Sequence, residues 1–558
     1  MRAYVKSFVA LSFIIGFVSL FVITVDSQTQ RENSRVGIDR EVDVQTCYGC
    51  HESIETMHAK GKHSGVNCVV CHGKLTDHAF DPENKKPLTW MEHRVCGECH
   101  KDQYESFVSV DLLSPPKVEK ATSTGRSPLF DNVMRPHGFT REHSEPRSHV
   151  FSLVDYLLVD RAFGGRFELK NWALAFDAKA AERSAWEILK DKDPLDNRQR
   201  IFEPYTPRTA ATAANPVCLQ CKTTDHILNW AYRGDKHPKA KWDRTSPVVD
   251  VARDSHRGFS CIQCHDPHSA EPRIVRDALI EAIVDRNEGT YPYDPEKSKK
   301  ITVRKVTFRD FRVIGILNTN DATVMCAQCH VEYVCNPGLD PKTNERIEMA
   351  DPRTNFFPWV NVMDLEKPYD RLQFRDFTHE ITKAPLIKIQ HPEVETFWGS
   401  KHERAGVTCA DCHMPKVKNK AGKTYTFHGQ RSIKHVPGRT AVCVKCHKDW
   451  TPEQAEYTIV GIQNYVRGKM RKAEFWISKL VDTYSIAKAV GVDEKVLARA
   501  RELHAKAHVN WEWWTAENSD GFHNPDLAKA SLLKAIQTAI DGVLLLEKAI
   551  EEKRAKMP

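Results

Sequence analysis

The sequence predicts a mainly α-helical fold with little β-structure, long loops and a bundle of long helices at its C-terminus. Three observations predict it. Apolar residues after residue 451 repeat at three-to-four spacing, which is typical of amphipathic helices. Alternating apolar and polar runs, which would indicate strands, are few. Sixteen of the 17 cysteines lie in Cys-x-x-Cys motifs along the preceding chain, so attached groups packed between helices and loops are expected to supply much of the interior.

Seven of these eight motifs are Cys-x-x-Cys-His, the attachment signature of haem c. The two thiols form thioethers with the porphyrin, and the following imidazole binds its iron. A zinc knuckle, a redox dithiol or a disulfide would not place histidine at the same position seven times. We therefore predict a multihaem c-type cytochrome. The seven proximal histidines are His51, His72, His100, His265, His330, His413 and His447.

The eighth motif, Cys218-Leu-Gln-Cys221-Lys222, places a lysine where the imidazole belongs. A lysine can bind iron only as the neutral amine, so this haem is predicted to differ from its seven neighbours and to be the catalytic one. With it, the chain is expected to carry eight haem c groups. The sixteen attachment cysteines are Cys47, Cys50, Cys68, Cys71, Cys96, Cys99, Cys218, Cys221, Cys261, Cys264, Cys326, Cys329, Cys409, Cys412, Cys443 and Cys446.

The N-terminus has the layout of a secretory signal. Arg2 and Lys6 precede an apolar run from Phe8 to Val25, and haem c is attached outside the cytoplasm. The run is close to the lower length limit for a membrane span and has no clear cleavage site. We therefore predict an exported, periplasmic protein, either soluble or anchored by this segment.

The formal charge of +7 is no sign of nucleic-acid binding. Eight haems bring about sixteen propionate charges against about eight ferric charges, which leaves the loaded protein close to neutral. Lys and Arg side chains are instead expected to face propionates and anionic substrates.

The motifs and composition divide the chain into four parts. The predicted parts are 1–27, a signal peptide or N-terminal anchor; 28–110, a three-haem module; 111–450, a five-haem catalytic core; and 451–558, long helices. In the last part, one helix carries a stripe from Ile459 to Leu480, a second runs from about Asp493 to Ala516, and a third opens at Asn524-Pro525. These stripes predict bundle core first and an oligomer interface second. His504 and His508, on the second helix, are expected at the surface.

Residues 147–523 resemble the catalytic core of the pentahaem cytochrome c nitrite reductases, which form ammonia. That family likewise has one Cys-x-x-Cys-Lys haem followed by four Cys-x-x-Cys-His haems. The matching segments are Arg147-Ser-His, Cys261-Ile-Gln-Cys-His-Asp-Pro-His, Cys326-Ala-Gln-Cys-His-Val-Glu-Tyr, Gln390-His-Pro-Glu and Val407-Thr-Cys-Ala-Asp-Cys-His-Met-Pro-Lys. With three further haem motifs ahead of this core, the whole chain resembles an octahaem cytochrome c nitrite reductase.

The resemblance implies a catalytic site. Lys222 would hold the iron on one side, and Arg147, Tyr333 and His391 would line the vacant side. Arg147 would bind nitrite and stabilise negative charge, His391 would relay protons, and Tyr333 would offer a phenol as donor. Taken singly, Arg147 could bind a propionate, His391 could be a distal iron ligand and Tyr333 could be packing.

The resemblance also implies a cross-link and a calcium site. Octahaem nitrite reductases have a Tyr–Cys thioether, and Tyr333 and Cys335 are spaced to form one; the alternative is a buried free cysteine. The calcium ligands would be the Glu332 carboxylate, the Tyr333 and Lys388 carbonyls and the Gln390 amide, which are hard oxygen donors. Candidate distal haem ligands are His63, His149, His256, His402, His428 and His523.

The predicted function is the six-electron reduction of nitrite to ammonium by an oxidoreductase. Hydroxylamine and sulfite would be further substrates, and a quinol dehydrogenase or a small cytochrome, periplasmic or membrane-bound, would donate electrons. A homo-oligomer is expected. The alternatives are a hydroxylamine-oxidising or tetrathionate-reducing octahaem enzyme, and a non-catalytic electron-transfer cytochrome. Lys222 argues against the hydroxylamine-oxidising family, whose catalytic haem is His-ligated.

Overall fold

A computed structural model describes residues 42–109, 127–135, 148–153, 156 and 215–556. The N-terminal apolar run and Arg147 lie outside these ranges. The described chain is mainly helical with short strands, which confirms the predicted fold class. Among the described residues, no helix is long and apolar enough to cross a membrane.

The chain divides into two compact units, Met1–Trp90 and Met91–Pro558. The smaller unit holds the first two haem motifs, and the third motif, Cys96–His100, lies in the larger unit. The predicted boundary at residue 110 between a three-haem module and a five-haem core stays a prediction. The smaller unit contains helices Val44–Tyr48, Glu52–His58 and Leu75–Phe80, the 3₁₀ turn Cys68–Val70, and the antiparallel strands His72–Gly73 and Leu88–Thr89.

The larger unit is built from short helices and turns that carry the remaining haem motifs. Its α-helices before residue 452 are His93–Gly97, Lys101–Val108, Phe130–Val133, His226–Asn229, Val248–Asp254, Asp277–Ile280, Pro295–Lys300, Ala322–Cys326, Glu366–Leu372, Glu393–Phe397, Lys401–Arg404 and Cys409–His413. Its 3₁₀ turns are His149–Phe151, Pro216–Cys221, Tyr232–Gly234, Cys261–Gln263, Pro352–Thr354, Ile433–His435 and Arg439–Lys445, and Glu281–Asp285 is a π-helix.

Apart from isolated bridges, the described residues of this unit form one three-stranded sheet and three two-stranded ribbons, all antiparallel. The sheet contains β1 (Arg273–Ile274), β2 (Val303–Phe308) and β3 (Arg312–Leu317) in the order β1-β3-β2, and β3 is buried throughout. The ribbons pair Gly338–Leu339 with Arg346–Ile347, Phe377–Thr378 with Pro385–Leu386, and Lys416–Lys418 with Thr424–Thr426.

Three long helices end the chain: α1 (Pro452–Ala489), α2 (Glu494–Ala516) and α3 (Pro525–Arg554). Each begins at a polar cap, because the first backbone N–H groups of a helix have no partner within it. The caps are Thr451, Asp493 and Asn524, whose side chains accept from backbone N–H groups. The three helices pack on one another, so their apolar stripes form the bundle core that the sequence predicts.

The prediction that His504 and His508 lie at the surface is wrong, because both side chains are fully buried. Helix α2 packs on α1 and α3 and also on strand Pro385–Leu386. Its neighbours therefore cover more of its surface than the single buried face of an amphipathic helix. His504 hydrogen-bonds Thr382 Oγ1 through Nδ1 at 2.8 Å. His508 Nε2 lies 2.9 Å from the Glu512 carboxylate. These partners compensate part of the cost of burying two imidazoles.

Candidate active site

The Cys218–Lys222 motif lies on the buried 3₁₀ turn Pro216–Cys221. Asn215 caps this turn by accepting from the Val217 N–H at 3.0 Å. Residues three apart eclipse each other in a 3₁₀ turn, so the two thiols point to the same side, as attachment to one porphyrin requires. Lys222 follows as the C-cap and is half-buried, with its Nζ 5.0 Å from the centre of the Tyr156 ring.

The structure brings Tyr333 and His391 together. Their ring centres lie 6.3 Å apart. Tyr333 is 6% exposed, and burial raises the pKa of its phenol, which keeps the hydroxyl protonated. A buried cation, Arg276, lies on the same ring with its guanidinium carbon 5.6 Å from the ring centre. The sequence did not single out Arg276, and Arg147, the predicted cation, lies outside the described residues.

Cys335 is buried beside this pair. Its Sγ accepts a hydrogen bond from Gln390 Nε2 at 3.6 Å, and its thiol lies within hydrogen-bonding range of Cys218. Tyr333 and Cys335 are also close enough to interact electrostatically. The thiol therefore lies near both the lysine motif and Tyr333, and the Tyr333–Cys335 bond stays a prediction.

The predicted calcium ligands include Glu332 and Gln390, which directly precede Tyr333 and His391 in the chain. The Glu332 carboxylate is fully buried and accepts from the Tyr369 hydroxyl and the Gln390 N–H, each at 2.7 Å. The Lys388 ammonium donates to Gln390 Oε1 at 2.8 Å. Burial raises the pKa of Glu332 well above its usual range, because a buried carboxylate without a full countercharge is unfavourable.

Two more carboxylates accept hydrogen bonds from the backbone of Glu332 and Lys388. Glu395 accepts from the Glu332 N–H at 2.9 Å, and Asp376 accepts from the Lys388 N–H at 2.9 Å. Burial raises the pKa of Asp376 to about 7 and lowers the pKa of Lys388. One ammonium cannot offset three acids, of which Glu332 and Glu395 are fully buried and Asp376 is half-buried, so the donor set has the charge and the hard oxygens that suit a divalent cation. Among the described residues, no three His, Cys, Asp or Glu side chains converge as a metal cluster; the predicted set uses one carboxylate with carbonyl and amide oxygens.

Five proximal histidines each face a second imidazole. An imidazole nitrogen binds a first-row metal at about 2 Å, so two rings that hold one iron from opposite sides have centres roughly 6 Å apart. The observed separations of the ring centres are 6.1 Å for His51 and His78, 6.0 Å for His330 and His149, 6.5 Å for His265 and His428, 6.2 Å for His413 and His523, and 6.3 Å for His447 and His402. The residues therefore fit bis-histidine haems.

The hydrogen bonds of these rings support the same conclusion. In four of them Nδ1 hydrogen-bonds an oxygen, which leaves Nε2 to bind a metal. The partners are the backbone carbonyls of Lys85 for His78, Arg431 for His413 and Thr426 for His428, and the Glu393 carboxylate for His330. His523 Nδ1 lies 2.7 Å from the Glu517 carboxylate as an ion pair. Burial lowers the pKa of His149 to about 3 and that of His413 to about 4, which favours the neutral form that binds iron. In their partners, His330 and His523, the carboxylates of Glu393 and Glu517 outweigh burial and raise the pKa.

Four of the six predicted distal candidates thus lie opposite a proximal histidine. Of the other two, His63 is half-buried in the smaller unit and His256 is exposed. Sequence reasoning missed His78, which follows His72 on helix Leu75–Phe80. Its only sequence signal is that it is one of few histidines within a short module that contains two haem motifs.

Contacts between attachment cysteines show which motifs are neighbours. In the larger unit, Cys221 lies within hydrogen-bonding range of Cys329, Cys326 of Cys409, and Cys96 of Cys261. In the smaller unit, Cys68 lies beside Cys47. The lysine motif is therefore adjacent to the Cys326 motif, and the Cys326 motif is adjacent to the Cys409 motif.

Comparisons with known proteins agree with this arrangement. The family model for cytochrome c552 matches residues 189–558. The chain is 34% identical over 478 residues to cytochrome c-552 of Haemophilus ducreyi, covering 84% of this chain and 77% of the relative. It is 28% identical over 444 residues to the cytochrome c nitrite reductase subunit NrfA of Nitratidesulfovibrio vulgaris, covering 76% of this chain and 68% of the relative.

A solved structure has the same fold. The cytochrome c nitrite reductase of Desulfovibrio desulfuricans, described with two calcium sites, superposes with a TM-score of 0.57 at 24% identity. The match covers 83% of this chain and 87% of that one. The likeness in fold, the match of the family model over the lysine motif and all later motifs, and the 34% identity lead to one conclusion. The chain belongs to the cytochrome c552 family.

Proposed function

We propose that this protein is an octahaem c-type cytochrome that reduces nitrite to ammonium at the haem attached through Cys218 and Cys221. The observation that carries the proposal is that Tyr333 pairs with His391 and is within electrostatic range of Cys218 and Cys221, with the Cys335 thiol close to Cys218. A relative is named a nitrite reductase subunit, which supports the same reaction. Haem would supply the redox chemistry, a transfer of six electrons.

The chain's own residues would bind substrate and move protons. Lys222 would hold the iron from one side, so that the other side accepts nitrite. Arg147 would bind the nitrite oxygens and stabilise negative charge as the N–O bonds break. His391 would deliver protons to the leaving oxygens, and Tyr333, kept protonated by burial, would donate a hydrogen bond to the same substrate.

Two further groups would support this site. A thioether between Tyr333 and Cys335 would hold the phenol in a fixed orientation. A calcium ion on Glu332, Tyr333, Lys388 and Gln390 would offset the buried carboxylates and fix the backbone that carries Tyr333 and His391. Mass spectrometry of tryptic peptides would detect the cross-link, and elemental analysis of the dialysed protein would detect one calcium per chain.

The contacts between attachment cysteines support an order for electron flow. Electrons would reach the lysine motif from the Cys409 motif through the Cys326 motif, coming from a quinol dehydrogenase or a small cytochrome. The imidazole pairs described above would ligate five of the seven remaining irons, with His78, His149, His402, His428 and His523 as distal ligands.

A homo-oligomer is part of the proposal. Tyr457, Phe475 and Ile486 on α1 are 81%, 52% and 48% exposed. Their spacing is close to whole helical turns at about 3.6 residues per turn, so they share one face. A second copy of the chain would cover this apolar face, and light scattering of the purified protein would measure the mass of the assembly.

The decisive experiment supplies the holoprotein with a reduced viologen dye and nitrite, and measures ammonium. Stoichiometric ammonium that is lost in Arg147→Ala and His391→Ala would support the proposal. His435→Ala, which removes an exposed imidazole, is the matched control and should retain activity. Hydroxylamine and sulfite would be tested as further substrates. Dye-coupled oxidation of hydroxylamine without ammonium formation, or reduction of tetrathionate alone, would favour the other octahaem enzymes, and no reaction would favour an electron-transfer protein.

A further inference from the structure

Arg276 is buried next to Tyr333 and has no hydrogen-bond partner in the part of the chain that the structure describes. It precedes helix Asp277–Ile280, its side chain is 2% exposed, and none of its three guanidinium nitrogens makes a hydrogen bond among the described residues. Its guanidinium carbon lies 5.6 Å from the centre of the Tyr333 ring and 5.4 Å from that of Phe357. Aromatic faces attract a cation but cannot replace the hydrogen bonds that a buried guanidinium loses on leaving water.

Arg312, the first residue of β3, is a second such cation. It is fully buried and within electrostatic range of Arg276. One of its nitrogens donates to the Val275 carbonyl, whereas Nε and Nη1 have no partner among the described residues. Burial lowers the pKa of Arg312 to about 10, as expected where the surrounding side chains do not supply enough negative charge.

Asp277 is the acid between the two arginines, and it cannot satisfy both. Its carboxylate already accepts from Trp230 Nε1 at 2.9 Å, from Asn355 Nδ2 at 3.0 Å and from the Ala278 N–H at 3.0 Å. Arg276 Nη1 lies 4.0 Å from Asp277 Oδ1, which is beyond hydrogen-bonding distance. Two buried guanidinium groups therefore face one carboxylate that other donors occupy.

Two nearby arginines, by contrast, are paired with protein carboxylates. Arg273 is 4% exposed, and it donates to the Asp266 carboxylate at 2.8 Å and to the Ile262 carbonyl at 2.7 Å. Arg286 pairs with the carboxylates of Glu281 and Glu288. Within the described ranges, Arg276 and Arg312 thus lack what their neighbours have, namely an anion within hydrogen-bonding distance.

We propose that Arg276 and Arg312 form a buried carboxylate-binding site, and that its ligand is a propionate group of a haem attached beside Tyr333. Arg276 is within electrostatic range of Cys221 and Cys329, so that haem is the one attached by Cys218 and Cys221 or the one attached by Cys326 and Cys329. A propionate supplies two acceptor oxygens, which match the fork of a guanidinium. The inference rests on haem attachment in the proposed function but not on nitrite reduction.

Paired positive charge beside a haem has a measurable consequence. Reduction adds an electron to the haem, and a nearby cation stabilises the reduced form, so removal of the cation lowers the midpoint potential. A substrate-binding arginine would instead change the affinity for nitrite. The two sources of an anion, a haem carboxylate and the substrate, can therefore be told apart.

The test uses the holoproteins of Arg276→Met and Arg312→Met, with Arg276→Lys as the charge-conserving variant. Arg286→Met, which removes an arginine that protein carboxylates already pair, is the matched control. Haem content is measured first. Redox titrations are then followed by optical and electron paramagnetic resonance spectra, in which a high-spin signal would report the lysine-ligated haem and low-spin signals the bis-histidine haems. The dissociation constant for nitrite is measured from the optical shift.

We expect both methionine variants to lower the midpoint potential of the same haem, and Arg276→Lys to cause a smaller shift in the same direction. Nitrite affinity should be unchanged, and the control should leave that potential in place. Unchanged potentials in Arg276→Met and Arg276→Lys at full haem content would overturn the proposal. Weaker nitrite binding with unchanged potentials would assign the arginines to the substrate instead. If the methionine variants lose haem, the lysine variant alone decides between these outcomes. A holoprotein inactive with nitrite would refute the proposed function and leave this measurement valid.

Discussion

Glu474 should make the protein less stable as the pH rises toward neutrality. This residue of α1 is 1% exposed, and its Oε1 accepts from Ser127 Oγ and from the Leu129 N–H, each at 2.8 Å. Burial raises the pKa of Glu474 to about 7. A carboxyl group whose pKa is higher in the folded chain than in the unfolded chain stabilises the fold while both states are protonated. That contribution is lost as the pH rises from about 4.3, the ordinary value for glutamate, to about 7.

The magnitude follows from the difference between the two pKa values. It corresponds to at most about 3.7 kcal/mol, and screening inside real proteins reduces such values, so we expect about 1–2 kcal/mol. Glu474→Gln keeps the oxygen that accepts from Ser127 and Leu129 but cannot ionise. The variant should therefore be more stable than the parent at pH 8 by this amount, and equal to it or slightly less stable near pH 4.5.

Thermal unfolding of the holoprotein, followed by far-ultraviolet circular dichroism between pH 4.5 and 8.5, measures the effect. For a chain of this size, 1 kcal/mol corresponds to a shift in Tm of roughly 1–2 °C. Glu456→Gln removes an exposed carboxylate from the same helix and should follow the parent at every pH. If Glu474→Gln changes Tm by the same amount at all pH values, the change comes from packing and the reasoning from ionisation is refuted.

Three further predictions concern ligation and local structure. His78→Ala should convert one low-spin haem, that of His51, to a high-spin form while the haem stays attached; an unchanged electron paramagnetic resonance spectrum would exclude His78 as a ligand. Gly521→Ala should destabilise the bundle by about 1–3 kcal/mol, because this glycine has a φ of +81° and an added Cβ would lie 2.7 Å from a Val466 methyl group; a Tm equal to that of the parent would contradict the close approach. Asn524→Ala should cost about 1 kcal/mol through loss of the α3 cap, and Asn524→Asp, which can still accept from the helix N-terminus, should recover part of that loss in the same thermal assay.

The fold class and the long helices could be predicted because their signals are local. Covalent haem motifs have a characteristic spacing, and the α1 stripe from Ile459 to Leu480 repeats with the period of a helix. The caps at Asp493 and Asn524 are where the sequence predicts the second and third helices to begin. Local signals do not report how much of a helix its neighbours cover. For that reason the predicted surface position of His504 is wrong, whereas the helix that carries it is correct.

The candidate site could be predicted only in part. The family resemblance predicts Tyr333 and His391, and the structure places their ring centres 6.3 Å apart. Arg276 has no motif of its own. It stands out only because it lies on the Tyr333 ring and no described residue gives it a hydrogen-bonding anion. Neither the composition nor the spacing of the sequence could show this arrangement. Asp277, which adjoins it in sequence, would suggest an ion pair, whereas other donors already occupy that carboxylate.

By itself, the sequence determined the chemistry that each haem motif can perform, because two thiols and the next side chain act together over five residues. It also determined that Lys222 differs from the seven histidines. Only the tertiary structure decided which second imidazole faces each of five proximal histidines. His265 meets His428, and His149 meets His330, across long stretches of chain. A ligand pair of this kind depends on two rings placed roughly 6 Å apart by the packing of separate elements, and a linear sequence does not contain that distance.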